Sequence, residues 1–476
     1  MDRGALKSSV LEILRKLFPE TAGVSLDVWR FAELGLKEEK SAEAHAVFLA
    51  RKGFRVTKGT RDLPTALVAE WGQGKPVIGF LGEYDALPGL SQDVSAERRP
   101  LVPGAPGHGC GHNLLGAGSL GAAAAFKEYL ARTGREGTVR YYGCPAEETL
   151  IGKVFMAREG VFSDLDAAIT WHPGDINTIP MGSSNAVNSA RFIFHGRTAH
   201  AAGDPHNGRS ALDAVELMNV GANYLREHVI PDARLHYVIT DGGGQPNVVP
   251  ARAEVWYYVR APRRNQVDEI YSRLLDVAKG AALMTGTSFD VLFLSGCYDV
   301  LPNEALGEAA LAWLRELGGP VFEDADMEFA RDISATVEPS QKRQYLERMN
   351  APEELYDQVM NTTVVEPLDK GKVLPASTDV GDVSWITPTV QVYTACWPIG
   401  IPGHSWQVTA CSGHRLAQKG MFLASAVMAL TAAELVEHAG ILDRARQEFA
   451  ERTKGQPYRS PLPEGLRAPR GANGQA

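Results

Sequence analysis

Cysteine is scarce. Five cysteines in 476 residues are too few, and odd in number, for a disulfide framework. They fit a reducing, cytoplasmic compartment. Positive charge is also short: 48 Lys and Arg stand against 57 Asp and Glu, a net charge of −9. No block of basic residues offers a footprint for nucleic acid, so no nucleic-acid partner is expected. Long apolar runs are missing too. The greasiest, Met421 to Ala433, is stopped by Glu434 and falls short of the ~20 residues needed to cross a bilayer, so no membrane partner is expected. The start, MDRGALKSSVLEILRKLFPE, lacks the uninterrupted apolar stretch and small-residue cleavage site of an export signal. With Leu11, Leu14 and Leu17 at helical spacing, it reads as an amphipathic helix. What remains is ordinary for a soluble globular chain, with 44% apolar and 22% charged residues, which excludes a disordered chain, a collagen or a coiled-coil rod. The length allows roughly two to four domains.

Short apolar strands alternate with helices in the first half. Strands are expected at Val77–Leu81, Thr138–Tyr142 and Ala167–Trp171, with helices from Leu114 to about Leu130 and around Val154–Arg158. That alternation predicts an α/β fold with a mostly parallel, doubly wound sheet. The middle reads differently. Strand Ala190–Phe194, helix Ser210–His228, strands Leu235–Thr240 and Arg252–Arg260, helix Val267–Leu283 and strand Ser288–Leu294 follow the order β-α-β-β-α-β. This is the ferredoxin-like split unit, and it predicts an inserted α+β domain. The α/β character returns with helix Glu304–Leu317, strand Val390–Ala395 and the apolar helix Met421–Ala439. The expected division is therefore a first catalytic part over 1–185, an inserted domain over 186–297 and a second catalytic part over 298–455. A loose tail rich in Pro and Gly follows over 456–476. Residues 320–375 are charged and mixed and carry no usable period.

Polar clusters follow the expected strands. Gly82-Glu83-Tyr84-Asp85 follows the first, Pro145-Ala146-Glu147-Glu148 the second and His172-Pro173 the third. Gly403-His404-Ser405 follows Val390–Ala395 after a Gly/Pro loop. In an open parallel sheet, ligands bind at the carboxyl ends of the strands, so these clusters are expected to share one crevice. GHGCGHN, residues 107–113, opens the Ala-rich helix. Its glycines permit a tight turn, so Cys110 and His112 can face one point as metal donors. Adjacent Glu147 and Glu148 suit a division of labour, one binding metal and one acting as general base on a metal-bound water. On the strand Arg252–Arg260, alternation puts Glu254, Trp256, Tyr258 and Arg260 on one face, and Arg suits a carboxylate. Two rival readings stand beside this one. Cys110 could be a nucleophile with His112 as its base, or the chain could be a binding or partner-dependent subunit.

Taken together, GEYDALPG, GHGCGHN, PAEE, WHP, GRTAHAA, PNVVP and PGHSW, covering residues from about 79 to 406, resemble the dinuclear metallopeptidase/amidohydrolase family that includes aminoacylases and carboxypeptidase-like enzymes. The resemblance implies a catalytic domain with an inserted lid that also forms a dimer. It implies two divalent metal ions per subunit, Zn or Mn. Cys110 would bridge them, and His112, Glu148, His172 and His404 would complete the shell. Glu147 would be the general base on metal-bound hydroxide, and Asp85 would orient a ligand histidine. His200 would reach into the partner subunit's site and polarise the scissile carbonyl. Asn247 and Arg260 would hold the substrate and its carboxylate. The implied reaction is hydrolysis of the amide bond of N-acyl or N-aroyl amino acids, by a homodimer or with a related partner subunit.

Overall fold

The structure, a computed structural model, describes residues 2–469. Its main sheet has the strand order Arg55–Lys58, Leu67–Gln73, Gly137–Cys144, Val77–Glu83, Ala167–Gly174, Thr389–Ala395. The last four run parallel, and the first two add an antiparallel edge. The parallel part is the one the sequence predicts. The edge pair is outside that expectation, because Arg55–Lys58 is mostly exposed and has no apolar alternation.

Helix His112–Thr133 lies on this sheet and is buried nearly all round. Its small residues permit the close approach: a Cβ on Gly116 would lie 2.4 Å from the carbonyl oxygen of Glu83, and one on Gly118 2.7 Å from Trp171 Nε1. Trp171 Nε1 donates to the carbonyl of Leu115 at 2.8 Å, pinning the helix to the third parallel strand. Helices Arg3–Phe31 and Arg415–Glu437 pack against it and complete one core. The expected apolar run of residues 421–433 thus belongs to a longer helix of 23 residues, sufficient by length and composition to cross a membrane, but 83% of its apolar window is buried inside the fold. It is a core helix, and it stops at His438 before a second helix, Ala439–Thr453.

From Ala186 to Cys297 the chain builds a separate antiparallel sheet of order Ser288–Cys297, Ala186–His195, Arg252–Ala261, Arg234–Asp241. Helices Ala211–Leu225 and Arg264–Thr285 pack on it and on each other. Each strand pairs as the β-α-β-β-α-β order requires. Strand Arg234–Asp241 is an edge of this sheet and mostly exposed.

Residues 320–375, without a readable period, contain helices Asp324–Ser334 and Pro339–Met349. In the second only Leu346 is buried, so the helix has almost no apolar stripe to detect. Leu346 joins Ile176, Leu355, Val365 and Ile399 in a small satellite core. The expected loose tail starts at 456. Residues 456–469 have no helix or strand, yet Tyr458 Oη donates to Asp382 Oδ1 at 2.6 Å, Arg158 Nη1 donates to the carbonyl of Leu466 at 2.7 Å, and Leu462 is buried. These anchors dock a segment whose composition predicts looseness. The remainder of the expected loose tail, 470–476, lies outside the described residues.

Candidate active site

The parallel strands deliver their polar ends to one crevice. Cys110, Glu147, Glu148, His172 and His404 line a cavity of about 410 Å³ together with Tyr258, Arg260, Ser377, Thr378 and Tyr393. The loops that present them are locally constrained. Gly111 sits at φ 76° before His112. A Cβ on Gly109 would lie 2.4 Å from Leu90 Cδ1. The backbone N of His404 donates to the carbonyl of Gly109 at 3.0 Å, tying the two donor loops together. Ala146 and His404 both lie in the left-handed region, at φ 53° and 55°. Such strain in non-glycine residues gathers at functional loops. Buried Glu38 holds Ala146 there by accepting its backbone N–H at 2.8 Å.

Two groups of donors share Cys110. In one, Cys110, His112 and His172 have donor atoms within 4.8 Å of one another; in the other, Cys110, Glu148 and His404 do. The orientations of the His112 and His172 rings are set by the nitrogen facing away. Asp85 Oδ1 lies 2.8 Å from His112 Nδ1, and the carbonyl of Pro173 lies 2.7 Å from His172 Nδ1. Each carbonyl or carboxylate can accept the Nδ1–H hydrogen bond, and in the neutral ring this leaves Nε2 as the lone-pair donor. Asp85 Oδ2 also accepts the backbone N–H of Glu148 at 2.9 Å, so one carboxylate positions two expected ligands. His172 Nε2 lies 3.5 Å from Cys110 Sγ, and His404 Nε2 lies 3.5 Å from Glu148 Oε2. His112 Nε2 and Glu148 Oε1 are buried with no hydrogen-bond partner among the described residues. Orphaned buried acceptors are costly unless something satisfies them, and a divalent cation does. The donor set of thiol, imidazole and carboxylate fits Zn²⁺ and Mn²⁺ alike.

The electrostatics follow from crowding anions out of water. Burial, then the neighbouring Glu83, pushes Glu147 up to about 7. Burial pushes Glu148 up to about 8. Burial and Glu148 push the Cys110 thiol well up. An activated cysteine nucleophile needs the opposite, a depressed thiol. Burial and the nearby His112 push His172 down to about 4, in the neutral form a metal ligand needs.

Glu147 Oε1 accepts a hydrogen bond from Thr378 Oγ1 at 2.7 Å. Arg260 Nη1 donates to Ser377 Oγ at 3.3 Å, and its guanidinium lies against Tyr258. Trp256, on the same strand face, does not reach the cavity; its Nε1 donates to Ser189 Oγ at 2.9 Å. His200 and Asn247 do not reach it either. They stand together on the exposed rim of the inserted domain, where the backbone N of Ala201 donates to the carbonyl of Asn247 at 3.0 Å. The single chain therefore unites Asp85, Cys110, His112, Glu147, Glu148, His172, Arg260 and His404, and leaves His200 and Asn247 outside.

Four residues at the site carry no role in the sequence reading: Glu83, Lys153, Thr378 and Asp379. Lys153 is fully buried, with Nζ 2.6 Å from Glu83 Oε1 and 2.5 Å from Asp379 Oδ1. The available signal was a lysine on the buried face of the apolar segment GKVFMAR, since a buried lysine demands a carboxylate partner. Asn113 proves structural: its Nδ2 reaches Ser25 and the carbonyl of Ser412, tying the first helix to the segment after His404.

The peptidase dimerisation domain family matches residues 184–283. One of the subunits of p-aminobenzoyl-glutamate hydrolase of Escherichia coli (strain K12) is 44% identical over 454 residues, covering 92% of this chain and 94% of that protein. Xaa-Arg dipeptidase of Mus musculus is 27% identical over 459 residues, 93% of this chain and 92% of that protein. Among solved structures, a dinuclear metal binding peptidase from the M20 family, of Bacillus subtilis, superimposes with a TM-score of 0.55 at 18% identity, over 89% of this chain and 99% of that one. An aminobenzoyl-glutamate utilization protein from Klebsiella pneumoniae does so with 0.56 at 19%, over 86% and 97%. Fold, site and relatives define the chain as an amidohydrolase with a dimerisation domain. It belongs to the M20 family, alongside the p-aminobenzoyl-glutamate hydrolase of Escherichia coli.

Proposed function

We propose that the chain hydrolyses the amide bond of N-acyl or N-aroyl amino acids of the p-aminobenzoyl-glutamate kind. The observation that carries this reading is the convergence on one cavity of four metal-donor side chains, Cys110, Glu148, His172 and His404, with His112 grouped behind Cys110, a pre-positioned Glu147 and the guanidinium of Arg260. Zn²⁺ or Mn²⁺ ions held by Cys110 with His112 and His172, and by Cys110 with Glu148 and His404, would supply Lewis acidity and a water of lowered pKa. A reduced Cys110 is needed for this, which favours a cytoplasmic setting.

The chain's own groups do the rest. Glu147 takes the proton of the attacking water and delivers it to the leaving nitrogen. Thr378 occupies its Oε1, so Oε2 is the oxygen free to carry that proton. Arg260 pairs with the substrate carboxylate, and Tyr258 walls the same side. His200 acts in trans in a homodimer. Its Nδ1 accepts the backbone N–H of Gly203 at 3.0 Å, so the ring proton sits on Nε2, ready to donate to an oxyanion in a partner's cavity. Asn247, on the same rim, approaches the same substrate. The inserted domain also leaves Tyr224, Val238, Leu283 and Met284 exposed, apolar surface suited to a second copy. A related partner chain is the alternative occupant.

The test is a mass-spectrometric hydrolysis panel of N-acyl and N-aroyl amino acids, including p-aminobenzoyl-glutamate, with added Zn²⁺ or Mn²⁺ and with chelator. Metal-dependent release of the amino acid is expected. Turnover that survives complete chelation, or protein that takes up no metal, overturns the reading.

A further inference from the structure

We propose that Glu83 is a further metal ligand of this centre and that Lys153 is the residue that aims it. The inference rests on the metal-binding reading above and extends it to a residue outside the implied ligand set.

Glu83 ends the strand Val77–Glu83 and is buried. Its Oε2 lies 3.3 Å from His112 Nε2. With its Nδ1–H donated to Asp85 at 2.8 Å, a neutral His112 turns its Nε2 lone pair toward Glu83, the form in which imidazole ligates metal. Both Glu83 Oε2 and His112 Nε2 are buried, and neither has a hydrogen-bond partner among the described residues. Buried polar atoms left without a partner keep their desolvation cost. A cation bound by both removes the two penalties at once.

The carboxylate cannot turn away. Its Oε1 is held by Lys153 Nζ at 2.6 Å, and the same ammonium is held by Asp379 Oδ1 at 2.5 Å. Asp379 Oδ2 accepts the backbone N–H of Lys153 at 2.8 Å, which fixes the base of that side chain as well. A buried ion pair with only a structural role has no need of an aimed second oxygen. Here that oxygen lies with His112 and Glu147 in a third group of donors within 4.8 Å of one another. This group shares His112 with the Cys110–His112–His172 group, so Glu83 serves the ion held by His112. Lys153 is a positioning residue, and Asp379 anchors it.

The experiment compares metal affinity in wild type and Glu83→Gln by chelator competition, together with the absorption spectrum of the Co²⁺-loaded proteins. Glutamine keeps the shape and still accepts from Lys153. A fall of at least ~10-fold in affinity for one ion, with a changed Co²⁺ spectrum, is expected, since even groups that only orient ligands are worth about 10–100-fold. Unchanged affinity and spectrum in Glu83→Gln overturn the inference while leaving the metal centre standing. A wild type that binds no metal overturns both. Glu83→Gln/Lys153→Met, which removes both charges, gives the same comparison should the single variant not fold. The structure of wild type crystallised with Zn²⁺ decides independently of either variant. A Glu83 oxygen at ~2.0–2.2 Å from the ion supports ligation, and one beyond ~3 Å excludes it.

Discussion

Thr378 Oγ1 donates to Glu147 Oε1 at 2.7 Å across 231 residues of chain. This one bond divides the labour of the carboxylate, since Oε1 is held and Oε2 is left for the travelling proton. A hydrogen bond to a charged group is worth roughly 1.5–3 kcal/mol, about tenfold or more in rate if it orients the base. Thr378→Val should therefore lower kcat by about tenfold with KM nearly unchanged, and Thr378→Ser should restore most of it. Steady-state kinetics on the released amino acid reads both. A rise in KM alone would assign Thr378 to substrate binding instead.

Asp85 holds the imidazole of His112 and the backbone of Glu148 with its two oxygens. Asp85→Asn keeps the shape but can no longer take the His112 proton with a full charge. Metal affinity should fall by about 10–100-fold with little change in thermal stability of the metal-free protein. Chelator competition and a thermal melt separate the two effects.

Arg260 presents a planar fork to the cavity, and lysine cannot reproduce it. Arg260→Lys should raise KM for substrates with a free carboxylate by about tenfold or more, the loss expected for a charged hydrogen bond, and leave kcat less affected. An amidated substrate, lacking the carboxylate, should show little difference between the two proteins. Equal losses on both substrates would remove Arg260 from carboxylate recognition.

His200 stands outside the cavity of its own chain. Mixing His200→Ala with Glu147→Gln, each inactive alone, should recover activity, because a mixed dimer holds one site with both groups intact. The recovery has a ceiling of about a quarter of wild type for random exchange, since half the dimers are mixed and each has one good site. No recovery, with subunit exchange shown by native mass spectrometry, would place His200 outside the reaction.

Burial pushes His45 down to about 3, and its Nδ1 lies 2.7 Å from Tyr141 Oη. The folded chain excludes a proton that the unfolded chain takes up below about 6.5. The stability tied to this group is complete above pH ~6.5 and is lost as pH falls toward 3. Replacing the ring, as in His45→Gln, should flatten the loss of urea resistance between pH 6.5 and 4 relative to wild type. Parallel pH profiles for the two proteins would show that His45 carries no such linkage.

The parallel strands and the β-α-β-β-α-β insertion were legible because their apolar periods are local and strong. The helix Pro339–Met349 was not, because it buries a single side chain. Four motif segments, GHGCGHN, PAEE, WHP and PGHSW, placed the metal donors of the site, since the polarity of a parallel sheet sends the carboxyl ends of its strands to one edge; GRTAHAA and PNVVP lie on the inserted domain, away from that edge. Trp256 shows the limit of that reasoning. Strand alternation puts it on the face of Arg260 correctly, yet the cavity ends at Tyr258.

By itself, then, the sequence determined the class of chemistry: a Cys-x-His pair, adjacent glutamates and two strand-end histidines are spacing within loops, written in consecutive residues. Only the tertiary structure decided how those groups are aimed. The Lys153–Asp379 pair joins positions 226 residues apart, and Thr378 meets Glu147 across a comparable span. No local period encodes such meetings. They exist because helix Gly152–Arg158 and the segment that opens helix Val380–Ser384 pack together beneath the crevice, and a buried charge is tolerable only where packing brings its partner.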